Sequence, residues 1–164
     1  RPIARPLHPS RPDWVGGGGG NHYRYAQNPV GFIDPWGLVH ESTPGYTVYA
    51  LYDKYPPKPY CIGLTDDCDR RKAEHMDSGR LAAGGGMRWI ELPVYYGQAR
   101  GYEQACIEFY GTKTGIIGGD ISSTNRGNKV NSFDKDGKVR EFQRQKAFMD
   151  AYNEKYLELN KECP

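Results

Sequence analysis

Arg71 and His75 are the first pair of side chains in this sequence whose types and spacing could do chemistry. They are four residues apart in the stretch YCIGLTDDCDRRKAEH, so on a helix they lie on one face. A guanidinium can hold a phosphate group with its planar fork, and an imidazole can transfer a proton near neutral pH. This face is either an ordinary solvated helix surface, or a cation and an acid/base group directed at a phosphate.

Glu103 is the third candidate, because it is the acid in a helical row whose other members are apolar: Cys106, Ile107 and Tyr110. Gln104 and Glu108 are expected on other sides of that helix. Burying a lone carboxylate is costly unless a cation or hydrogen bonds meet it. Periodicity alone favours a structural ion pair with Arg71, and the alternative is a bound metal ion.

Three strands are expected to position these residues. Alternating β-formers predict a strand at Tyr46–Tyr52, and 60–64 is the returning strand after the stiff PPKP connection at 56–59. A third strand is predicted near 87–96, bent or ended by Pro93.

Helices follow the second and third strands. Residues 65–67 supply N-caps for a helix that runs to about Ser78, with Cys68 and Met76 as the apolar edge facing the sheet. The stretch GYEQACIEFYG predicts a second helix closed by Gly111. A terminal helix carries a stripe that is most simply core packing: Phe142, Met149, Tyr152, Tyr156 and Leu159. This order predicts a small α/β domain, a three-stranded sheet flanked by helices plus a C-terminal helix.

Composition limits what the chain can bind. Its 164 residues suffice for one domain with tails, and a mean hydropathy of −0.80 with no long apolar run predicts no membrane span. The net charge of +2 comes from the first 38 residues, since 39–164 hold 18 Lys+Arg against 18 Asp+Glu. Bulk charge therefore does not hold nucleic acid, and the best local patch is 126–146, with seven Lys/Arg against three acids.

The four cysteines stand at irregular spacings without a CxxC pair, so they predict reduced, buried thiols rather than a zinc site. Reduced thiols fit a protein that works in cytoplasm. The chain begins without Met, so its first residue is expected to come from inside a longer protein.

The segment Asn21–Leu38 carries the pattern N-x-Y-x-Y-A-x-N-P followed by D-P-x-G-L, after a Pro- and Gly-rich segment at 1–20. This pattern resembles the closing signature of the Rhs/YD-repeat core. The resemblance implies a β-cage whose acid-dependent autoproteolysis cuts after Leu38, so that 1–38 end the core and 39–164 are the released effector. The other motif residues are Asp34, which is the motif aspartate, Pro35 and Gly37. The alternative is a repeat-derived linker without processing.

Residues 46–131 resemble the GIY-YIG nuclease family. Its first motif falls on Thr47-Val48-Tyr49 and its second on Cys61-Ile62-Gly63. The family arginine, eight residues after Gly63, is Arg71, and a histidine often follows four later, which is His75.

The family's metal-binding glutamate matches Glu103, and its terminal asparagine matches Asn128 or Asn131. Cys61 replaces the second motif tyrosine, with Tyr60 one position earlier. On a strand that step moves the phenol to the other face.

The resemblance implies that Glu103 holds one Mg2+ (or Mn2+), whose other positions are filled by water and phosphate. Arg71 would stabilise phosphate charge. Tyr49 is a candidate general base, with a pKa that the metal or Arg71 would lower, and His75 relays that proton or is the base itself. The motif Asn would orient a ligand or the end of the fold.

Together the two resemblances imply a metal-dependent DNA endonuclease toxin from an Rhs polymorphic toxin. It would be a secreted effector, delivered through type VI secretion for interbacterial competition, and would act in the target-cell cytoplasm. A cognate immunity protein is implied by the family. The alternatives are an RNase toxin on the same scaffold and a non-catalytic binding or adaptor module, and a metal requirement separates the enzymes from the adaptor.

Overall fold

The computed structural model describes residues 39–54, 58–137 and 141–162. Within them lie three strands and three helices: β1 Thr47–Tyr52, β2 Pro59–Thr65, α1 Cys68–Asp77, β3 Gly86–Trp89, α2 Tyr96–Tyr110 and α3 Phe142–Glu162. The predicted α/β class, with a three-stranded sheet and a C-terminal helix, is confirmed. The proposed core-end signature, with Asp34, Pro35, Gly37 and Leu38, lies outside the described residues.

The sheet is antiparallel, with β1 between β2 and β3. Successive side chains of a strand point to opposite faces. Val48 and Ala50 therefore pack into the main core with α2 and α3, whereas Tyr49 and Leu51 lie on the other side in a smaller cluster with Cys61 and Leu81. This second side of the sheet carries the candidate site.

Helix α1 begins at a cap in which the side chain of Asp67 accepts a hydrogen bond from the backbone N–H of Arg70 at 3.0 Å. Its buried residues are Arg71 and His75. The predicted apolar edge is wrong, because Met76 is 60% exposed and Cys68 is half-buried. The helix instead turns His75 toward the sheet, where the imidazole bonds Tyr49, while Arg71 bonds Glu74 of the same helix.

The third strand and the second helix differ from their predicted bounds. β3 ends at Trp89, and beyond it Val94 forms an isolated bridge with Tyr46. Helix α2 starts at Tyr96, although Gly97 and Gly101 lower helix propensity in its first turns. Tertiary packing outweighs that propensity, because a Cβ at Gly101 would collide with the backbone of α3, so glycine here permits close helix contact.

The apolar stripe of α3 is shifted from the predicted one. Phe142 is 75% exposed at the first residue of the helix and does not belong to the core. Tyr152 and Leu159 are buried, and Met149 and Tyr156 pack against the core as predicted. The fully buried aromatic residue is instead Phe148, which contacts the rings of Tyr96 and Phe133.

No helix among the described residues combines the length and apolar character that crossing a lipid bilayer requires. The three described cysteines are free thiols, with Cys61 and Cys106 buried and Cys68 half-buried.

Gly63 leaves the space that the Tyr49 ring occupies. The two residues are cross-strand partners, and a Cβ at position 63 would collide with the hydroxyl and ring of Tyr49. Gly63→Ala is therefore expected to displace Tyr49 and to lower the free energy of unfolding by about 1–3 kcal/mol in urea denaturation.

Gly86→Ala is the matched control for that substitution, since a Cβ there meets nothing within 4 Å. We expect it to change stability by less than about 0.5 kcal/mol. Equal effects of the two substitutions would contradict the packing argument.

Candidate active site

Tyr49 and His75 form a buried hydrogen bond on the α1 side of the sheet. The hydroxyl oxygen of Tyr49 lies 2.7 Å from Nε2 of His75, and each residue is at most 5% exposed. Burial raises the pKa of the Tyr49 phenol, and this outweighs the lowering by Arg71. Burial, with the charges of Arg71 and Arg80, lowers the pKa of His75 to about 3. Near pH 7 a neutral phenol therefore donates to a neutral imidazole.

That pattern corrects one expectation about the reactive phenol. Arg71 was expected to lower the pKa of Tyr49 toward the phenolate, but in the folded protein burial is the larger effect. His75 Nε2 is consequently the basic atom of the pair, and Tyr49 is its proton donor.

The neutral His75 predicts a pH dependence of stability. The unfolded chain takes up a proton at this side chain below about pH 6.5, whereas the folded protein does so only near pH 3. The contribution of neutral His75 to the free energy of unfolding is therefore fully present above about pH 6.5. Below that pH the free energy of unfolding falls by about 1.4 kcal/mol per pH unit. Urea denaturation between pH 7.5 and pH 5 should show that His75→Gln lacks this component. His40→Gln, at an exposed histidine, should keep the wild-type pH slope, and identical slopes in all three proteins would contradict the prediction.

Arg71 is buried beside this pair and reaches a carboxylate at the surface. Its Nη1 donates to Oε2 of Glu74 at 2.8 Å, and Nη1 of Arg70 donates to the other oxygen of Glu74 at 2.7 Å. The Glu74 side chain is 43% exposed, and the Arg71 side chain is 6% exposed. The guanidinium therefore lies between the interior and a carboxylate that solvent reaches.

Glu103 is buried, and its partners differ from those predicted. The Ser132 hydroxyl donates to Oε2 of Glu103, and Nη1 of Arg100 lies 3.9 Å from the same oxygen. The predicted direct ion pair with Arg71 is wrong within the described residues. Burial raises the pKa of Glu103, opposed by Arg100, by the Ser132 hydrogen bond and, more weakly, by Arg71.

Three polar residues that the sequence analysis missed lie around Glu103: Arg100, Gln104 and Ser132. Gln104 is fully buried instead of pointing away, and its Oε1 accepts from the backbone N–H of Ser132 at 2.7 Å. The guanidinium of Arg100 also donates to the Ser132 carbonyl. The i,i+3 spacing of Arg100 and Glu103 was a signal that could have found that pair. No sequence signal pointed to Ser132.

Tyr60 lies on the same side of the sheet as Tyr49, contrary to the expectation from strand alternation. Leu51 pairs with Cys61 but Tyr52 pairs with Pro59, so Tyr60 is the extra residue of a β-bulge. The bulge cancels the alternation, and both Tyr60 and Cys61 belong to the small cluster around Tyr49.

Asn128 and Asn131 have different surroundings. Asn128 is buried, with Nδ2 donating to the Ile62 carbonyl at 2.7 Å and Oδ1 accepting from the Ile62 N–H at 2.8 Å and from the Thr112 hydroxyl at 2.8 Å. Asn131 is exposed. The structure thus places Asn128 against β2, where its amide bonds the backbone of Ile62.

In the described residues of the predicted basic patch at 126–146, four of the cations are paired or buried. In its described part, Arg126 pairs with Asp53 at 2.7 Å and Lys135 with Glu108 at 2.9 Å. Lys129 and Arg144 are buried. These cations are largely neutralised or enclosed, so the Tyr49 side of the sheet is the better candidate for handling an anion.

The charges of Arg71 and Glu103 both act on the pKa of Tyr49, the first lowering it and the second raising it. The two charged side chains therefore lie close enough to Tyr49 to interact with it. Glu103 could contribute to a metal site, because its Oε1 accepts no hydrogen bond from the described residues. The described residues hold no group of three or more His, Cys, Asp or Glu side chains suited to a metal. The donor set therefore fits an ion bound through one carboxylate, with water and phosphate completing its coordination.

Comparisons of the chain with protein-family models, with curated proteins and with solved structures found no match.

Proposed function

We propose that residues 39–164 are a metal-dependent endonuclease of the GIY-YIG type that hydrolyses DNA phosphodiester bonds. The observation that carries this proposal is the buried hydrogen bond between Tyr49 and His75, with Arg71 one turn earlier on the same helix. A phenol, a neutral imidazole and a guanidinium in one enclosed place are the groups that activate a water and stabilise phosphate charge. Gly63, which makes room for the phenol, supports the same assignment.

The proton path follows from the protonation states. As a water oxygen attacks phosphorus and the bond from phosphorus to the leaving oxygen breaks, the water proton passes to the Tyr49 oxygen while the Tyr49 proton moves to Nε2 of His75 over the 2.7 Å hydrogen bond. The leaving oxygen takes up a proton from solvent water, the phenol is restored and His75 becomes the imidazolium. Burial disfavours that charge, so a negatively charged phosphate beside it is needed to stabilise the imidazolium.

Arg71 would hold the phosphate. The side chain of its present partner, Glu74, is 43% exposed and also binds Arg70, so a substrate phosphate can take the place of the Glu74 carboxylate without leaving that carboxylate unpaired. The planar fork then stabilises the charge that develops on the phosphoryl oxygens.

Glu103 would hold the metal ion, Mg2+ or Mn2+. When bound, the ion would polarise a phosphoryl oxygen and stabilise the leaving oxygen. The buried Glu103 carboxylate supplies charge for it, and the Ser132 hydroxyl orients that carboxylate.

In this proposal the domain is the effector part of an Rhs polymorphic toxin, cut from the core after Leu38. It would be delivered by type VI secretion into a rival cell, whose cytoplasm supplies DNA and Mg2+. A cognate immunity protein would protect the producing cell.

The test incubates the chain with plasmid DNA and with RNA, in Mg2+ and in EDTA, beside Tyr49→Phe purified in parallel to exclude contaminating nucleases. Cleavage of DNA that requires Mg2+ and is lost in Tyr49→Phe is the expected result. Selective cleavage of RNA would replace the proposal by an RNase. No cleavage of either, with binding indifferent to Mg2+, would favour an adaptor module.

A further inference from the structure

Arg80 is a buried cation that the proposed mechanism does not use. It follows α1 in the chain and is 2% exposed. Its Nη1 lies 3.3 Å from the sulfur of Cys61 and 3.5 Å from the carbonyl oxygen of Gly127. Within the part of the chain that the structure describes, no carboxylate lies within 4.0 Å of its guanidinium.

The unused atoms of Arg80 are Nε and Nη2, which are buried and make no hydrogen bond within the described ranges. These two nitrogens form one edge of the guanidinium plane, and such an edge matches the oxygen pair of a carboxylate or phosphate. Buried donors without acceptors are rare in folded proteins, and each calls for a ligand, an ion or an ordered water. A whole bidentate edge left open on a charged group points to an anion.

The surroundings of Arg80 connect this edge with the Tyr49 site. Cys61 shares the small cluster with Tyr49, and the Arg80 carbonyl accepts from the Tyr60 hydroxyl at 2.8 Å. The charge of Arg80 also acts on both groups: it adds to the lowering of the pKa of His75 and weakly opposes the rise that burial causes in the pKa of Tyr49. Arg80 and Arg71 thus approach the same pair of reactive groups from different parts of the chain.

We propose that Arg80 is a second anion-binding residue of this site, and that its Nε–Nη2 edge holds two oxygens of a phosphate group. That the phosphate belongs to a nucleic acid rests on the function proposed above. The anion site itself rests on the open edge and on the absence of a neighbouring carboxylate. Because the edge is closed to solvent here, binding requires a local rearrangement and is best measured at equilibrium.

The experiment titrates inorganic phosphate into the whole chain at constant ionic strength and without metal, using calorimetry. Arg80→Met, which removes the charge but keeps the length, is expected to weaken phosphate binding by at least about tenfold. Arg80→Lys keeps the charge and loses the fork, so an intermediate affinity is expected. Arg126→Met is the matched control and should bind like the wild type, because the fork of Arg126 is already occupied by Asp53.

A thermal denaturation in phosphate-free buffer separates a binding role from a structural one. Arg80→Met should melt at or above the wild-type temperature, since it removes a buried charge with unmatched donors. A lower melting temperature with unchanged phosphate affinity would overturn the proposal, as would a wild type without saturable phosphate binding. If Arg80→Met does not fold, a wild-type affinity of Arg80→Lys for phosphate would overturn the proposed bidentate contact.

A second arm titrates a short DNA oligonucleotide in EDTA. A loss of DNA affinity in Arg80→Met that parallels the loss of phosphate affinity supports a nucleic-acid phosphate at this edge. Loss of phosphate affinity alone supports the anion site while counting against the nuclease. Phosphate binding that depends on Arg80 in a chain that cleaves nothing would likewise uphold this proposal and reject the proposed function.

Discussion

Glu103→Gln is expected to reduce Mg2+-dependent DNA cleavage by at least about a hundredfold, because it removes the charge that would hold the metal and keeps the shape of the side chain. The neutral amide suits the site, since burial already raises the pKa of Glu103. Its oxygen can still accept from the Ser132 hydroxyl. Stability should therefore change by no more than about 2 kcal/mol in urea denaturation.

Binding measurements give this prediction a readout besides activity. Mg2+ should tighten the binding of a non-cleavable DNA analogue by the wild type, and should do so much less in Glu103→Gln. Glu108→Gln is the control on the same helix, because Glu108 is exposed and bonded to Lys135 and Tyr152. An equal Mg2+ response in wild type and Glu103→Gln would mean that Glu103 is not the metal ligand.

Arg71→Lys is expected to lower kcat/KM by about 10²–10³-fold, with the loss mainly in kcat. Lysine keeps the positive charge but cannot present a planar fork to two phosphoryl oxygens. The expectation depends on Arg71 exchanging Glu74 for the substrate, which the exposure of Glu74 allows.

Arg70→Lys is a close control for Arg71→Lys, since both arginines bind the same carboxylate from adjacent positions and Arg70 is exposed. We expect less than about a threefold change in kcat/KM for this exposed pair. Similar losses in both variants would show that the Glu74 contacts, and not a phosphate, account for the effect.

Local signals were sufficient for the order of the elements and for much of the site. The β-formers of Thr47–Tyr52, the caps before α1 and the i,i+4 spacing of Arg71 and His75 are readable within a few residues. They predict that Arg71 and His75 share one face of a helix, and the structure brings His75 to Tyr49.

The features that the sequence analysis missed are set by contacts between residues that are far apart in the chain. The second helix was predicted from Gly101, but it begins at Tyr96, and Gly101 lies where α3 approaches too closely for a side chain. The β-bulge at Tyr60 depends on how β2 pairs with β1 and not on its own sequence. Ser132 meets Glu103 from 29 residues away, and such a contact leaves no periodicity to read.

The pKa of Tyr49 is a second property that could not be predicted from the sequence. A nearby arginine suggested a lowered pKa, because an opposite charge favours the phenolate. Only the fold reveals that the phenol is enclosed, and that removal from water outweighs the attraction of Arg71.

Asn128 has a consequence beyond the candidate site. β2 is an outer strand of the sheet, and an outer strand exposes backbone groups that can pair with another chain. By bonding both the N–H and the C=O of Ile62, the Asn128 amide acts as a one-residue substitute for a neighbouring strand. The loop that carries Asn128 thereby blocks that edge at its middle. The same contact that holds Asn128 against β2 thus leaves fewer backbone groups on that edge open to pairing with another chain.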